Sequence, residues 1–411
     1  MIEWSEQHKQ IRTMVRRFIA AEIVPHLEEL EHGDMPPYDL LRKMLKTFGV
    51  VDMARAQFAR RIAREKARAE NTPEPEERTK SPEEVGNELA MRMLPIIELC
   101  RYSPGMVTAL GVSVGLTASA ILARGTIAQK ERWALPLLTM EKIGAWAITE
   151  PGSGSDAFGA MKSTAKRDGN GGYLLNGSKT FITNGPHADT IVFMCKLDDG
   201  RPPQDRAVVS FVLDKGMPGL AQSKRLRKMG LHSSPTGELS VADLRVGKEH
   251  LLGEREEQNS GRKDAKSTFT SERTGVAAMA LGIVEECLRL SVDYARTRVQ
   301  FGQPIGQFQL IQLKLAKMEV ARMNIQNLVF RQIEMASQGK SMTLAEASAC
   351  KLYCAQAAVE TCLEAVQLFG GNGYMAEYRV EQLCRDAKVL QIYGGTDEIQ
   401  VTHIARDLLA E

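Results

Sequence analysis

Three glycine clusters, GSGSD (152–156), GGNGY (370–374) and GGT (394–396), are the first candidates for chemistry in this chain of 411 residues. Glycine allows close backbone approach and left-handed turns, so each cluster could cradle an anion. The framings that make a phosphate loop specific are absent: there is no GxxxxGK[ST], and no GxGxxG between a strand and a helix. Taken alone, each cluster reads as a turn or a helix cap. Among the carboxylates, Glu272 follows Thr270-Ser271, a pair able to cap a helix, and by position alone is an N-terminal helix charge. Asp397 and Glu398 stand beside the last glycine cluster. Cys350 and Cys354 lie one helical turn apart and could share a metal. No histidine or second cysteine pair completes such a site, and the seven histidines do not cluster, so no metal is expected. The seven scattered cysteines read as reduced core thiols.

The elements that must position these residues come in three textures. Helical spacing dominates residues 1–143: Trp4, Ile11, Val15, Phe18 and Ile19 share one stripe, and Pro36-Pro37 ends it before a new helix near Tyr38. Residues 54–69 form a strongly basic helix candidate, read as a solvated face. Residues 70–86, rich in proline and charge, read as a loop or linker. Helical spacing resumes from Met91 to Arg124 and again over 127–140. Turn pairs such as Asn176-Gly177 and Asn184-Gly185 separate short β-rich runs over 144–258, predicting an antiparallel β domain. From 259 to 411 helical spacing returns (Ile311, Leu315, Met318, Ile325, Leu328, Val329), predicting a four-helix bundle. The fold class is therefore α+β and multidomain.

Composition excludes several functions. Lys+Arg of 53 against Asp+Glu of 51 leaves a net charge of +2, no footprint for nucleic acid. No apolar run is read as a bilayer span, and the charged N-terminus does not read as a signal peptide, so a cytoplasmic location is expected.

In order along the chain stand WAITEPGSGSD (146–156), NGSKTFITNG (176–185), RTRVQFGQPIGQFQ (296–309), QLFGGNGY (367–374), RDAK (385–388) and IYGGTDEIQ (392–400). Together they resemble the signature segments of the acyl-CoA dehydrogenase family, over nearly the whole chain. The resemblance implies FAD as cofactor, an acyl-CoA thioester as substrate and an electron-transfer flavoprotein as electron acceptor. It also implies a homotetramer or homodimer. A carboxylate takes the Cα proton while Cβ gives hydride to flavin N5, yielding the trans-2-enoyl-CoA. Most members carry that carboxylate where this chain has Gly394. Isovaleryl and long-chain members carry it on a C-terminal-domain helix before an arginine, which here is Glu272 before Arg273. Glu272 is then the base, and the Gly394 N–H polarises the thioester carbonyl.

By the same resemblance, Trp146, Ile148, Thr149, Gly154 and Ser155 lie along the isoalloxazine ring. Phe181, Ile182 and Thr183 stack on its other side. Arg298, Phe301, Gln309, Gln367, Gly370 and Gly371 reach the FAD of a neighbouring subunit, and Thr396 and Glu398 contact FAD. Ser155, Thr270, Arg273, Tyr393 and Gly395 meet the substrate, while Asp397 is structural or exposed. Two departures stand out. His232 replaces a family arginine, which puts a CoA contact there in question, and the segment 54–86 replaces a Tyr-Gly-Gly loop at the mouth of the acyl pocket. They keep alternatives open on the same scaffold: an acyl-CoA oxidase, a dehydrogenase of carrier-protein-tethered acyl groups, or a nitroalkane oxidase with an Asp base. The glycine at 394, taken alone, suggests a further alternative, a non-catalytic scaffold paralogue.

Overall fold

The computed structural model describes residues 3–75, 79–256 and 260–410, without the side chains of 260–271. Ser5 caps the helix Glu6–Phe18, and Trp4, Val15, Phe18 and Ile19 of the expected stripe are buried. The helix Tyr38–Thr47 starts just after Pro36-Pro37.

The basic stretch lies in a 20-residue helix, Val50–Ala69. Phe58 and Ile62 on its inner side join a buried cluster with Trp133, Trp146, Ile148 and Met161. Its cations are largely committed: Arg55 to Glu141, Arg61 to Glu65, Lys66 to Glu131, and Arg64 and Arg68 to Glu74. The following linker ends earlier than expected, because Ser81 and Glu84 exchange backbone-to-side-chain bonds of 2.8 and 3.2 Å and start a helix, Pro82–Cys100.

Contrary to the expectation from sequence, one helical stretch among the described residues, Pro104–Arg124, is long and apolar enough to cross a bilayer. Its scattered Gly, Ser and Thr residues disguise this in the sequence. Three of these residues, Gly105, Ser113 and Thr117, pack inward, while Gly111, Gly115 and Ser119 are exposed: the Ser113 hydroxyl accepts the Gly144 N–H at 2.9 Å, and Thr117 lies against Gly144.

The β domain contains β1 (Gly144–Ala147), β2 (Thr164–Arg167), β3 (Tyr173–Thr183), β4 (Thr190–Asp198), β5 (Val208–Asp214), β6 (Leu220–Gln222) and β7 (Thr236–Val246). They form one sheet in the order β1-β4-β2-β3-β7-β6, with β5 on β4. The sheet is mixed rather than wholly antiparallel. β1 and β2 lie end to end along one edge of β4, both parallel to it. Buried Ile191, Phe193, Cys195 and Leu197 of β4 and Val209, Phe211 and Leu213 of β5 centre its core.

Three long helices, Ser260–Thr297, Gln309–Ser337 and Leu344–Phe369, and the shorter Asp397–Leu408 build the C-terminal bundle. Pro82–Cys100 packs against the first two. A buried ionic network crosses this seam. Glu98, fully buried, accepts from Arg12, Arg16 and Arg101, and Glu286, also fully buried, accepts from Arg101, Arg289 and Arg379. Both carboxyls are held below the usual range. Burial alone would raise them; Arg16 and Arg12 for Glu98, and Arg289, Arg379 and Arg101 for Glu286, overcome it.

Candidate active site

Glu272 stands on the helix Ser260–Thr297 and faces the turn Gly394-Gly395. Both glycines are left-handed, with φ of +62° and +91°. A Cβ built on Gly394 would lie 3.3 Å from the Glu272 carboxyl carbon and 3.5 and 3.6 Å from its oxygens. The carboxylate thus occupies the space into which a side chain at 394 would project. Burial pushes the Glu272 carboxyl up to about 7, against the pull of Arg273 and Lys351. A carboxylate so poised is suited to proton abstraction near neutrality.

The turn is held by its carbonyls. Arg273 Nε donates to the Gly394 oxygen at 3.3 Å, and Gln400 Nε2 to the Gly394 and Gly395 oxygens at 3.1 and 2.7 Å. Lys351 Nζ donates to the Gly395 oxygen at 2.7 Å. Among the described residues, the N–H groups of Gly394 and Gly395 take no protein acceptor. They are therefore available to a ligand carbonyl.

The expected substrate residues divide. Tyr393 is half-buried, its hydroxyl 3.3 Å from Met279 Sδ, and burial raises its phenol. It supplies an apolar wall. Arg273, 3% exposed, bonds Gly394 and Ser348 (Nη1 to Oγ, 3.2 Å) and braces the turn from inside. The Thr270 side chain lies outside the described residues. Asp397 is structural, accepting from Gln356 at 3.3 Å and lying 3.7 Å from Lys351 Nζ. Exposed Glu398 opens the last helix beside Thr396.

The segment expected along a flavin is a braced loop between β1 and β2. The side chains of Trp146 and Ile148 fill the core, so this stretch presents mainly backbone, while Gly154 and Ser155 are exposed. Lys179, fully buried on β3, donates to the Ile148 carbonyl at 3.0 Å and to Glu150 at 2.9 Å. Glu150 in turn accepts the N–H groups of Lys162 (2.6 Å) and Ser163 (3.0 Å). A register shift between Lys179 and Ile182 turns Phe181 outward at φ +57°, leaving it 70% exposed. The side chain of its neighbour Ile182, only 2% exposed, packs into the sheet core, so this residue presents backbone there. An outward aromatic in strained backbone is a platform for a planar ring. The residues present fit a flavin on these grounds.

Arg298 immediately precedes a two-stranded hairpin, and Phe301, 94% exposed, is at its tip. Gln309, Gln367, Gly370 and Gly371 are exposed as well. His232 points into the protein. Its Nδ1 and Nε2 each lie 2.9 Å from a carbonyl oxygen, of Glu31 and Lys228, and the Glu31 carboxylate is 3.1 Å away. With two acceptors the ring must carry both protons, and the side-chain bond to Glu31 raises it to about 9. It is an internal clamp.

Sequence reasoning missed Lys179, Glu150, Lys351 and Gln400. The available signal was a lysine inside an apolar pattern, in KTFIT and in ACKLYCA.

Family descriptions match three stretches: the acyl-CoA dehydrogenase N-terminal domain over residues 5–55, the middle domain over 145–244 and the C-terminal domain over 259–409. The first match stops near the start of the basic stretch. A short-chain specific acyl-CoA dehydrogenase of Megasphaera elsdenii is 40% identical over 77% of this chain and 81% of its own. The CarC subunit of a caffeyl-CoA reductase-Etf complex from Acetobacterium woodii is 34% identical over 99% of both. The solved butyryl-CoA dehydrogenase of M. elsdenii superposes with a TM-score of 0.82 at 33% identity, covering 100% of each chain.

Proposed function

Because this chain belongs to the acyl-CoA dehydrogenase family, we propose that it oxidises the Cα–Cβ bond of an acyl-CoA with Glu272 as the base. It is an FAD-dependent enzyme. The observation that carries the assignment is the Glu272 carboxylate lying over Gly394, where a side chain at 394 would otherwise stand. One carboxylate fits this space, and this chain places it on the helix. Bound FAD supplies the hydride acceptor. Glu272 takes the Cα proton, and the free N–H of Gly394 bonds the thioester oxygen as enolate character develops. Phe181 and the backbone of 146–155 hold the isoalloxazine.

Two outcomes follow. First, the base must be ionised, and burial raises Glu272 to about 7, so kcat/KM rises with pH through an acid limb near that value. A limb near an ordinary carboxylate value would show Glu272 to be solvated. Second, Phe181→Ala weakens FAD binding roughly 2–10-fold, the loss of an aromatic stack, read by fluorescence titration of apoprotein.

The M. elsdenii relatives, named for short-chain and butyryl substrates, support a short acyl chain. Anaerobic flavin bleaching with straight acyl-CoAs from C4 upward, and with branched and aryl esters, tests this. An optimum among long chains contradicts it. The relative named as part of an Etf complex supports an electron-transfer flavoprotein as acceptor. Phe301 at 94% exposure, with Leu310 and Leu313 beyond it at 75% and 51%, supports self-association through the hairpin and the helix Gln309–Ser337. A homotetramer in the cytoplasm is the corresponding reading.

A further inference from the structure

Lys351 is a lysine with a fully buried side chain on the inner face of Leu344–Phe369, where the other buried residues are uncharged and mostly apolar. Removing an ammonium from water is costly, and an aliphatic residue would fill the same volume without that cost. Its direct partner is a backbone oxygen, Gly395 O at 2.7 Å, with the Asp397 carboxylate farther off at 3.7 Å. Gln400, also buried, spends its amide on the same turn, donating to both Gly394 and Gly395 oxygens. Arg273 adds a third donor and ties back to Ser348, one turn before Lys351 on the same helix. Three donors from three helices therefore grip two consecutive carbonyls. The turn they grip has left-handed φ at both positions and no room for a side chain at 395, where a Cβ would meet Gln400 Nε2 at 2.8 Å.

We propose that Lys351 and Gln400 are positioning residues that hold the Gly394-Gly395 turn by its carbonyl oxygens, so that the backbone following Gly394 is fixed and the Gly394 N–H keeps its place for the substrate carbonyl. The proposal rests on the reading of Gly394 as the polarising donor. Each gripped oxygen shares its peptide plane with the next residue's N–H, Gly394 O with that of Gly395 and Gly395 O with that of Thr396, so the grips fix the two units that follow Gly394 and thereby limit how far its own N–H, one unit upstream, can swing. A donor fixed in advance acts in the transition state without reorganisation. Lys351 has a second effect through charge. Its ammonium is near Glu272, as are the Arg273 guanidinium and the Tyr393 phenol; Lys351 itself faces Asp397, Arg273 and Glu272. Removing the ammonium leaves Glu272 with Arg273 as its remaining cation among the described residues, so its pKa rises above the present value of about 7.

The test uses FAD-loaded enzyme and a carbonyl-labelled 13C acyl-CoA, with the thioester C=O stretch read by difference infrared spectroscopy. In wild type the stretch moves to lower frequency on binding. In Lys351→Met that shift shrinks, kcat falls about 100-fold, as for a misplaced catalytic group, KM changes little, and the acid limb moves up. Lys351→Arg restores most of each. Gln400→Leu also loses the shift and lowers kcat, but its acid limb stays, because no charge is removed. FAD content remains at the wild-type level in each variant. A full shift in folded Lys351→Met overturns the clamp. If that variant does not fold, a full shift in Gln400→Leu does so. Glu272→Gln retains the shift, separating loss of the base from loss of the clamp. A wild type showing no shift overturns the role of Gly394 and the clamp together.

Discussion

Glu272→Gln loses about 10²–10⁴-fold in kcat, the range for removing a general base, while retaining FAD and acyl-CoA binding. The amide is nearly isosteric with the carboxylate, so the packing over Gly394 survives and only basicity is lost. Because the missing interaction acts in the transition state, kcat and kcat/KM fall together and KM moves little. The remaining carboxylates nearby do not compensate. Asp397 is committed to Gln356 and lies close to Lys351, and Glu398 is exposed at the head of the last helix. Stopped-flow bleaching of the flavin under anaerobic conditions measures this directly. Turnover within a few-fold of wild type would remove Glu272 from the mechanism.

Glu286→Ala destabilises the fold by about 3–5 kcal/mol, the usual consequence of removing one partner from a buried ion pair. The loss is large because Glu286 serves three arginines. Arg101 donates at 2.8 Å, Arg289 at 2.7 Å and Arg379 at 3.2 Å, and Arg101 is itself largely buried. Arg289 is nearly half-exposed and recovers water, so Arg101 and Arg379 carry the penalty. Urea unfolding of the FAD-loaded enzyme at pH 7 reads the difference. The pH dependence has a definite sign. The folded Glu286 carboxyl lies below its ordinary value of 4.5, so its contribution is complete above that value and is lost as pH falls through the lowered folded value. The gap between wild type and Glu286→Ala therefore narrows in acid. A gap constant from pH 7 down to pH 3 would mean that the charge on Glu286 is not what stabilises the seam.

The sequence was most informative where chemistry constrains a short segment and least where three segments meet. WAITEPGSGSD, NGSKTFITNG and IYGGTDEIQ were legible because each combines glycine turns with hydroxyls in a fixed order. Helical spacing placed the N-terminal and C-terminal helices, because a stripe facing one core repeats every turn. The base was legible only as a pair: Glu272 alone reads as a helix-start charge, although its helix begins at Ser260, and it became a candidate because position 394 is glycine. Coordinates add the reason, since the two positions contend for one volume. Arg273 was read as a substrate contact because it neighbours the base. Adjacent residues on a helix point about 100° apart, and this one points into the bundle. Phe181 stands out because of a register shift between β3 and β7, which depends on a partner strand 60 residues away. The parallel placement of β1 and β2 on β4 was likewise hidden, since turn pairs mark hairpins but not the longer connection through 148–163. Ser81 and Glu84 were legible and overlooked: S-x-x-E before an apolar run is a helix start, even inside a charged stretch.

Proton abstraction can be watched apart from oxidation by following the Cα hydrogens of a bound thioester whose β carbon cannot yield hydride. FAD-loaded wild type in deuterium oxide exchanges one Cα hydrogen stereospecifically, at a rate that rises with pH through about 7, where burial places Glu272. Glu272→Gln, carrying the same FAD, leaves that hydrogen in place. Exchange continuing in Glu272→Gln at the wild-type rate would contradict the assignment of the base.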